Sequence, residues 1–157
     1  MISSLALDNL EGVARALRAQ GNAIWSVANY EKALLCYQEG CQIHRQLGQP
    51  AAAALLTGNI GTVHWRVGKH AEALRNYKVA LASHRSVGDV YSDLWQARLY
   101  LHQERTNEAT QLLRLLLVRE FRPNMSAIIF EELSAALARK ANYASPAPSA
   151  NPAGLRG

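Results

Sequence analysis

Proline is scarce in this chain, five among 157 residues, and cysteine scarcer still, with two. Few prolines leave long stretches able to stay helical. Two cysteines cannot build a disulfide framework. Cys36 and Cys41 fall five apart on one predicted helix and so point about 140° from each other, which prevents easy pairing or joint chelation. They read as buried, reduced thiols. No stretch reaches the roughly 18 apolar residues of a membrane span, and the opening MISSLAL lacks the basic start and cleavage site of an export signal. The expectation is a cytoplasmic protein with no membrane segment.

The signatures of chemistry are missing too. There is no phosphate-cradling glycine loop, no zinc-protease histidine pair, and no serine or cysteine flanked by recognisable catalytic partners. Cys41 and His44 sit three apart, but a metal would need further ligands that the sequence does not show. The reading is therefore not an enzyme, with no cofactor and no metal.

What remains is 49% hydrophobic and dominated by alanine and leucine, enough to bury the core of one all-α domain. The net charge is +5. Its charges alternate in sign, as in Glu31-Lys32, Glu104-Arg105 and Arg119-Glu120, which is the pattern of a solvated helical surface rather than a nucleic-acid interface.

The chain also repeats itself. NYEKALLCY at residues 29–37 returns as KHAEALRNY at 69–77. At this offset Gly21 meets Gly61, Trp25 meets Trp65, Ala33 meets Ala73, Tyr37 meets Tyr77, His44-Arg45 meet His84-Arg85 and Gly48 meets Gly88. A third, weaker copy aligns Ala97, Ala109 and Leu113 with Gly61, Ala73 and Tyr77. Each copy resolves into two helices. The first pair is predicted at about 10–27 and 30–47. The turn after it falls at Gly48, suited to a left-handed conformation. Small Gly21 and Gly61, with Ala97 in the third copy, let the first helix approach its partner closely; Ala33, Ala73 and Ala109 offer a matching small patch on the second helix, and Tyr37, Tyr77 and Leu113, one turn further on, fill the space beside it.

The stretches QGNAIWSVANYEKALLCYQEG and NIGTVHWRVGKHAEALRNYKVAL, in their small, large, small, aromatic order, resemble the tetratricopeptide repeat, in its longer variety of about 40 residues. The resemblance implies a right-handed superhelical stack of antiparallel helix pairs, with repeats at about 9–48, 49–88 and 89–123. SAIIFEELSAALARKA reads as a C-terminal capping helix at about 126–141, with Ile129, Leu133 and Leu137 on one stripe. The helical repeat domain would thus occupy residues 1–141, and residues 142–157, rich in proline, alanine and serine, would be a disordered tail. Extending the register backward makes MISSLAL the tail of a preceding second helix, as though the chain were part of a longer array.

The resemblance also implies a function, a protein-interaction adaptor whose concave groove holds a peptide. Its lining would be Arg15, Arg18, Asn22, Trp25 and Ser26 from the first copy. The second copy would add Asn59, Thr62, Trp65 and Arg66, and the third Tyr91, Arg98 and His102. That set holds four arginines and no carboxylate, so the ligand expected is acidic or carries a free carboxylate. Arg18, Asn22 and Asn59 are similar to part of the clamp with which co-chaperones of this family hold a peptide C-terminus. Arginine replaces the family's lysine, and Tyr91 and Trp95 stand where two further basic residues are usual. Asn22 and Asn59 stand out because mid-helix asparagine is unfavourable without a compensating contact. A structural scaffold or self-association role, with Leu5 and Leu7 as contacts, is the alternative.

Overall fold

A computed structural model describes residues 3–83 and 90–144. Among these residues there are seven helices and no strand. They are α1 (Ser4–Ser26), α2 (Tyr30–Gln46), α3 (Pro50–Arg66), α4 (His70–Ser83), α5 (Val90–His102), α6 (Thr106–Arg119) and α7 (Pro123–Ala144). Two compact units divide the chain, one up to Leu99 and one from Tyr100 onward, so that α5 contributes to both. In the first unit each helix from α1 to α4 packs on the next. In the second, α6 packs on α7. The fold is all-α, built of tetratricopeptide-like helix pairs.

The joints explain the regularity. Ala28, Gly48, Gly68 and Glu104 all adopt φ between 60° and 85°. At each, the next residue donates its backbone N–H five residues back: Asn29 to Ile24, Gln49 to His44, Lys69 to His64 and Arg105 to Tyr100. This satisfies carbonyls that a helix end would otherwise leave unpaired. Gly48 behaves as its sequence position foretells. Ala28 and Glu104 adopt the same backbone with a Cβ, a conformation that costs L-residues about 1 kcal/mol or more. The predicted end at Gly88 and the pair His84-Arg85 lie outside the described residues, as does the tail from residue 145 on.

The packing within each repeat follows the small-opposite-large pattern. A Cβ on Gly21 would come within 2.6 Å of the Tyr37 ring, and one on Gly61 within 2.8 Å of Tyr77. Ala33, Ala73, Ala109, Tyr77 and Leu113 are wholly buried, and Tyr37 nearly so. Cys41 is buried as expected, while Cys36 is only half-buried; both are free thiols.

Two boundaries differ from the sequence reading. The first helix begins at Ser4, not near residue 10, so Ser4–Leu7 form its opening turn rather than the tail of an earlier helix. The reason is local: Ser3 caps the helix by accepting the Ala6 N–H at 3.2 Å, and Asp8-Asn9 supplies no glycine to break it. The capping helix opens at Pro123 and runs to Ala144, longer than 126–141. Pro123 ends nothing; it starts α7, where the missing N–H costs no helical bond.

Candidate functional site

The first helices of the repeats, α1, α3 and the start of α5, are tied to one another by side chains. The Arg66 guanidinium of α3 lies over the Trp25 ring of α1 at 5.8 Å, and Arg98 of α5 over the Trp65 ring of α3 at 5.0 Å. Each tryptophan also meets the residue that opens its own second helix. Tyr30 sits edge-on to Trp25, and His70 stacks on Trp65 at 4.3 Å. Beneath them the indole of Trp95, itself 1% exposed, presses into the space left by Gly58, where a Cβ would meet it.

Asn22 sits one turn before Trp25 on α1. Its Oδ1 accepts the Tyr37 hydroxyl proton at 2.7 Å. Burial first, then the neighbouring Cys36 and Tyr91, push the Tyr37 hydroxyl up to about 12, against a smaller opposing pull from Arg18. Tyr37 therefore stays a donor. Oδ1 keeps a second lone pair, and both N–H groups of the exposed Asn22 amide remain available to a ligand. Arg18, half-buried one turn earlier, makes no hydrogen bond or ion pair among the described residues, and neither do the exposed Arg15 and the half-buried Asn59. Among the described residues the buried Trp25 Nε1 has no partner either. On the surface itself, Arg15 and Arg18 are left without an anion among the described residues.

Thr62 takes the Asn22 position in the second copy. Its Oγ1 lies 3.4 Å from the Tyr77 hydroxyl and 3.2 Å from the Gly58 carbonyl, to which it donates. The third residue of this series, Arg98, is 2% exposed, with Nη1 donating to the same Tyr77 hydroxyl at 2.7 Å. This corrects the expectation of an open groove residue: its guanidinium is held by a phenol and an indole, inside the unit. Arg66 is exposed, Trp25, Trp65 and Thr62 are half-buried, and His102 is exposed in the second unit.

The sequence reading placed Tyr37 and Tyr77 as space-fillers and missed their hydroxyls. A signal was present: wherever the second helix carries tyrosine, the first carries a small polar residue (Asn22, Thr62). Where the tyrosine becomes Leu113, the first helix carries Arg98, which reaches back to the preceding tyrosine. Among the described residues no cluster of three or more metal-ligating side chains occurs, and no helix is long and apolar enough to cross a membrane.

Comparison with known families places a tetratricopeptide repeat at residues 54–87, covering most of α3 and all of α4. No curated protein matches the chain. The chain thus carries a tetratricopeptide repeat, a module that supports protein–protein interaction in general and is not generally enzymatic.

Proposed function

We propose that the first-helix surface of the unit ending at Leu99 binds a peptide segment of a partner protein, and that this segment supplies carboxylates, from acidic side chains or a free C-terminus. The observation that carries the reading is Arg18, without an ion-pair partner among the described residues, beside the exposed Asn22 amide, whose N–H groups stay available while its Oδ1 receives the Tyr37 hydroxyl. Arg18 and Asn22 lie on one face of α1, Asn59 belongs to α3, where the Thr62 hydroxyl is already committed to the Gly58 carbonyl, and Arg15 and Arg66 widen the positive surface. A ligand rich in acceptors satisfies these donors, and charge-assisted bonds to a carboxylate are about twice as strong as neutral ones. Trp25 and Trp65 supply apolar surface for a neighbouring side chain. No catalytic step is assigned to any of these residues, and the reading takes the partner to be cytoplasmic.

The test is fluorescence anisotropy with labelled peptides that differ only in charge and in a free or amidated C-terminus. Acidic peptides should bind and their basic counterparts should not. An Arg18→Ala, Asn22→Ala variant of equal helicity should bind about tenfold or more weakly, the scale of one lost hydrogen bond to a charged group. Equal binding of acidic and basic peptides, or an unchanged affinity in the variant, would overturn the reading.

A further inference from the structure

α1 and α3 hold the same place in successive repeats, yet their outer faces meet different fates. On α3, Ala53, Leu56 and Val63 are buried in one cluster with Ala33, Tyr37 and Cys41 of α2. The same register puts Val13, Ala16 and Ala23 at those positions on α1, and all three are exposed. Leu5, two turns before Val13, is 71% exposed and extends the same apolar stripe.

Gly12 lies on this stripe and is the exception among the helical glycines described. A Cβ on Gly21, Gly40, Gly58 or Gly61 would come within 3.1 Å of another side chain, whereas one on Gly12 would meet nothing within 4 Å. Glycine inside a helix is destabilising, and no contact among the described residues requires this one. A close approach from outside would. The stripe is bordered on one edge by Asp8 and Arg15, two turns apart, both exposed and neither engaged in a hydrogen bond or ion pair among the described residues. Helix geometry makes this edge self-complementary. Two antiparallel copies of α1 related by a two-fold axis near Gly12 bring Asp8 of each beside Arg15 of the other, both pairs on the same side of the contact.

We propose that the outer face of α1 pairs with α1 of a second copy of this chain, antiparallel and two-fold symmetric, with Gly12 at the crossing. Leu5, Val13 and Ala16 are covered, and Asp8–Arg15 ion pairs close the edge. The apolar part of this contact is separate from the peptide reading, since Leu5, Val13 and Ala16 take no part in that surface; Arg15 alone is shared, so Val13→Asp, Ala16→Asp tests the pairing without touching the peptide surface.

Sedimentation equilibrium over a wide concentration range tests it. The wild-type chain should show a doubled mass that rises with concentration, and a Val13→Asp, Ala16→Asp variant of unchanged circular dichroism should lose it. Asp8→Arg should weaken pairing, and adding Arg15→Asp should restore it, because the swap exchanges the partners without removing them. Asp8 and Arg15 are both exposed, so the charge swap remains informative if the apolar-face variant misfolds. A wild-type monomer at every concentration would give this face to some other helix and overturn the proposal. So would a dimer that survives Val13→Asp, Ala16→Asp, or a swap that fails to restore association.

Discussion

Tyr37 and Tyr77 are the same residue in the same register, each laid against a glycine of its partner helix, but their hydroxyls are satisfied in opposite ways. Tyr37 donates to Asn22, whose amide is exposed. Tyr77 lies against Thr62 and receives a bond from Arg98, a guanidinium almost without access to solvent. The difference teaches that one position of the repeat, occupied by Asn22, Thr62 and Arg98 in turn, can face outward with its polar group open to solvent or inward as a brace. A polar residue on a first helix is therefore not automatically part of a binding surface. What its hydroxyl partner leaves unoccupied decides.

The largest effect expected from breaking this contrast is at the brace. Arg98→Ala removes the bond to Tyr77 and the guanidinium packed on Trp65 and leaves a cavity, which should cost about 3 kcal/mol in urea unfolding. Nearly as large is Gly58→Ala, which forces a Cβ into the Trp95 indole and should cost about 2 kcal/mol by the same measurement. Substituting each tyrosine by phenylalanine sharpens the comparison directly. Tyr77→Phe strips a buried guanidinium of an acceptor and should cost about 2 kcal/mol, whereas Tyr37→Phe frees an exposed amide that water can satisfy and should cost about 1 kcal/mol or less. Equal losses at the two tyrosines would erase the distinction drawn between them.

The smallest effect is expected outside the first unit, where Arg122 folds back on Glu120 through Nε and Nη2, both at 2.7 Å, and through its backbone N–H at 2.8 Å. These bonds, the side-chain ones foremost, hold the Glu120 carboxyl down at about 2. Between the ordinary carboxylate value and about 2, the unfolded chain thus binds a proton that the folded chain does not. The contribution of the pair is complete above that window and drains away as pH falls through it. Glu120→Gln should remove a small part of the stability measured at neutral pH and flatten the acid limb of the stability curve between about pH 4 and 2, leaving the neutral-to-alkaline limb unchanged.

Much of this was legible in the residues themselves. The alternation of small and large residues across each helix pair was readable, because steric fit is written in residue size at fixed spacing; that Gly21 meets Tyr37 and Gly61 meets Tyr77 came from the fold. The left-handed turn at Gly48 was readable too. The start of α1 was not, because a single serine cap outweighed a register argument extended from later copies. Nor was the burial of Arg98 readable, since a lone arginine on an amphipathic helix looks solvated until a phenol and an indole from earlier helices are seen to receive it. The residues of the proposed binding surface were drawn from the sequence and its resemblance to the tetratricopeptide repeat. Which of them have spare hydrogen-bonding capacity depended on the tyrosine hydroxyls, and those bonds join residues 15 or more positions apart.

The joints at Ala28, Gly48 and Gly68 share one further property. The corner inside a helix pair and the corner between pairs have the same backbone geometry and the same pairing of N–H to carbonyl. Among the described residues, then, the main chain at these three corners does not mark where one copy stops and the next begins. A genetic duplication opening at either kind of corner would splice in without a misfit, so a ribbon of this kind can lengthen one copy at a time from any of its bends.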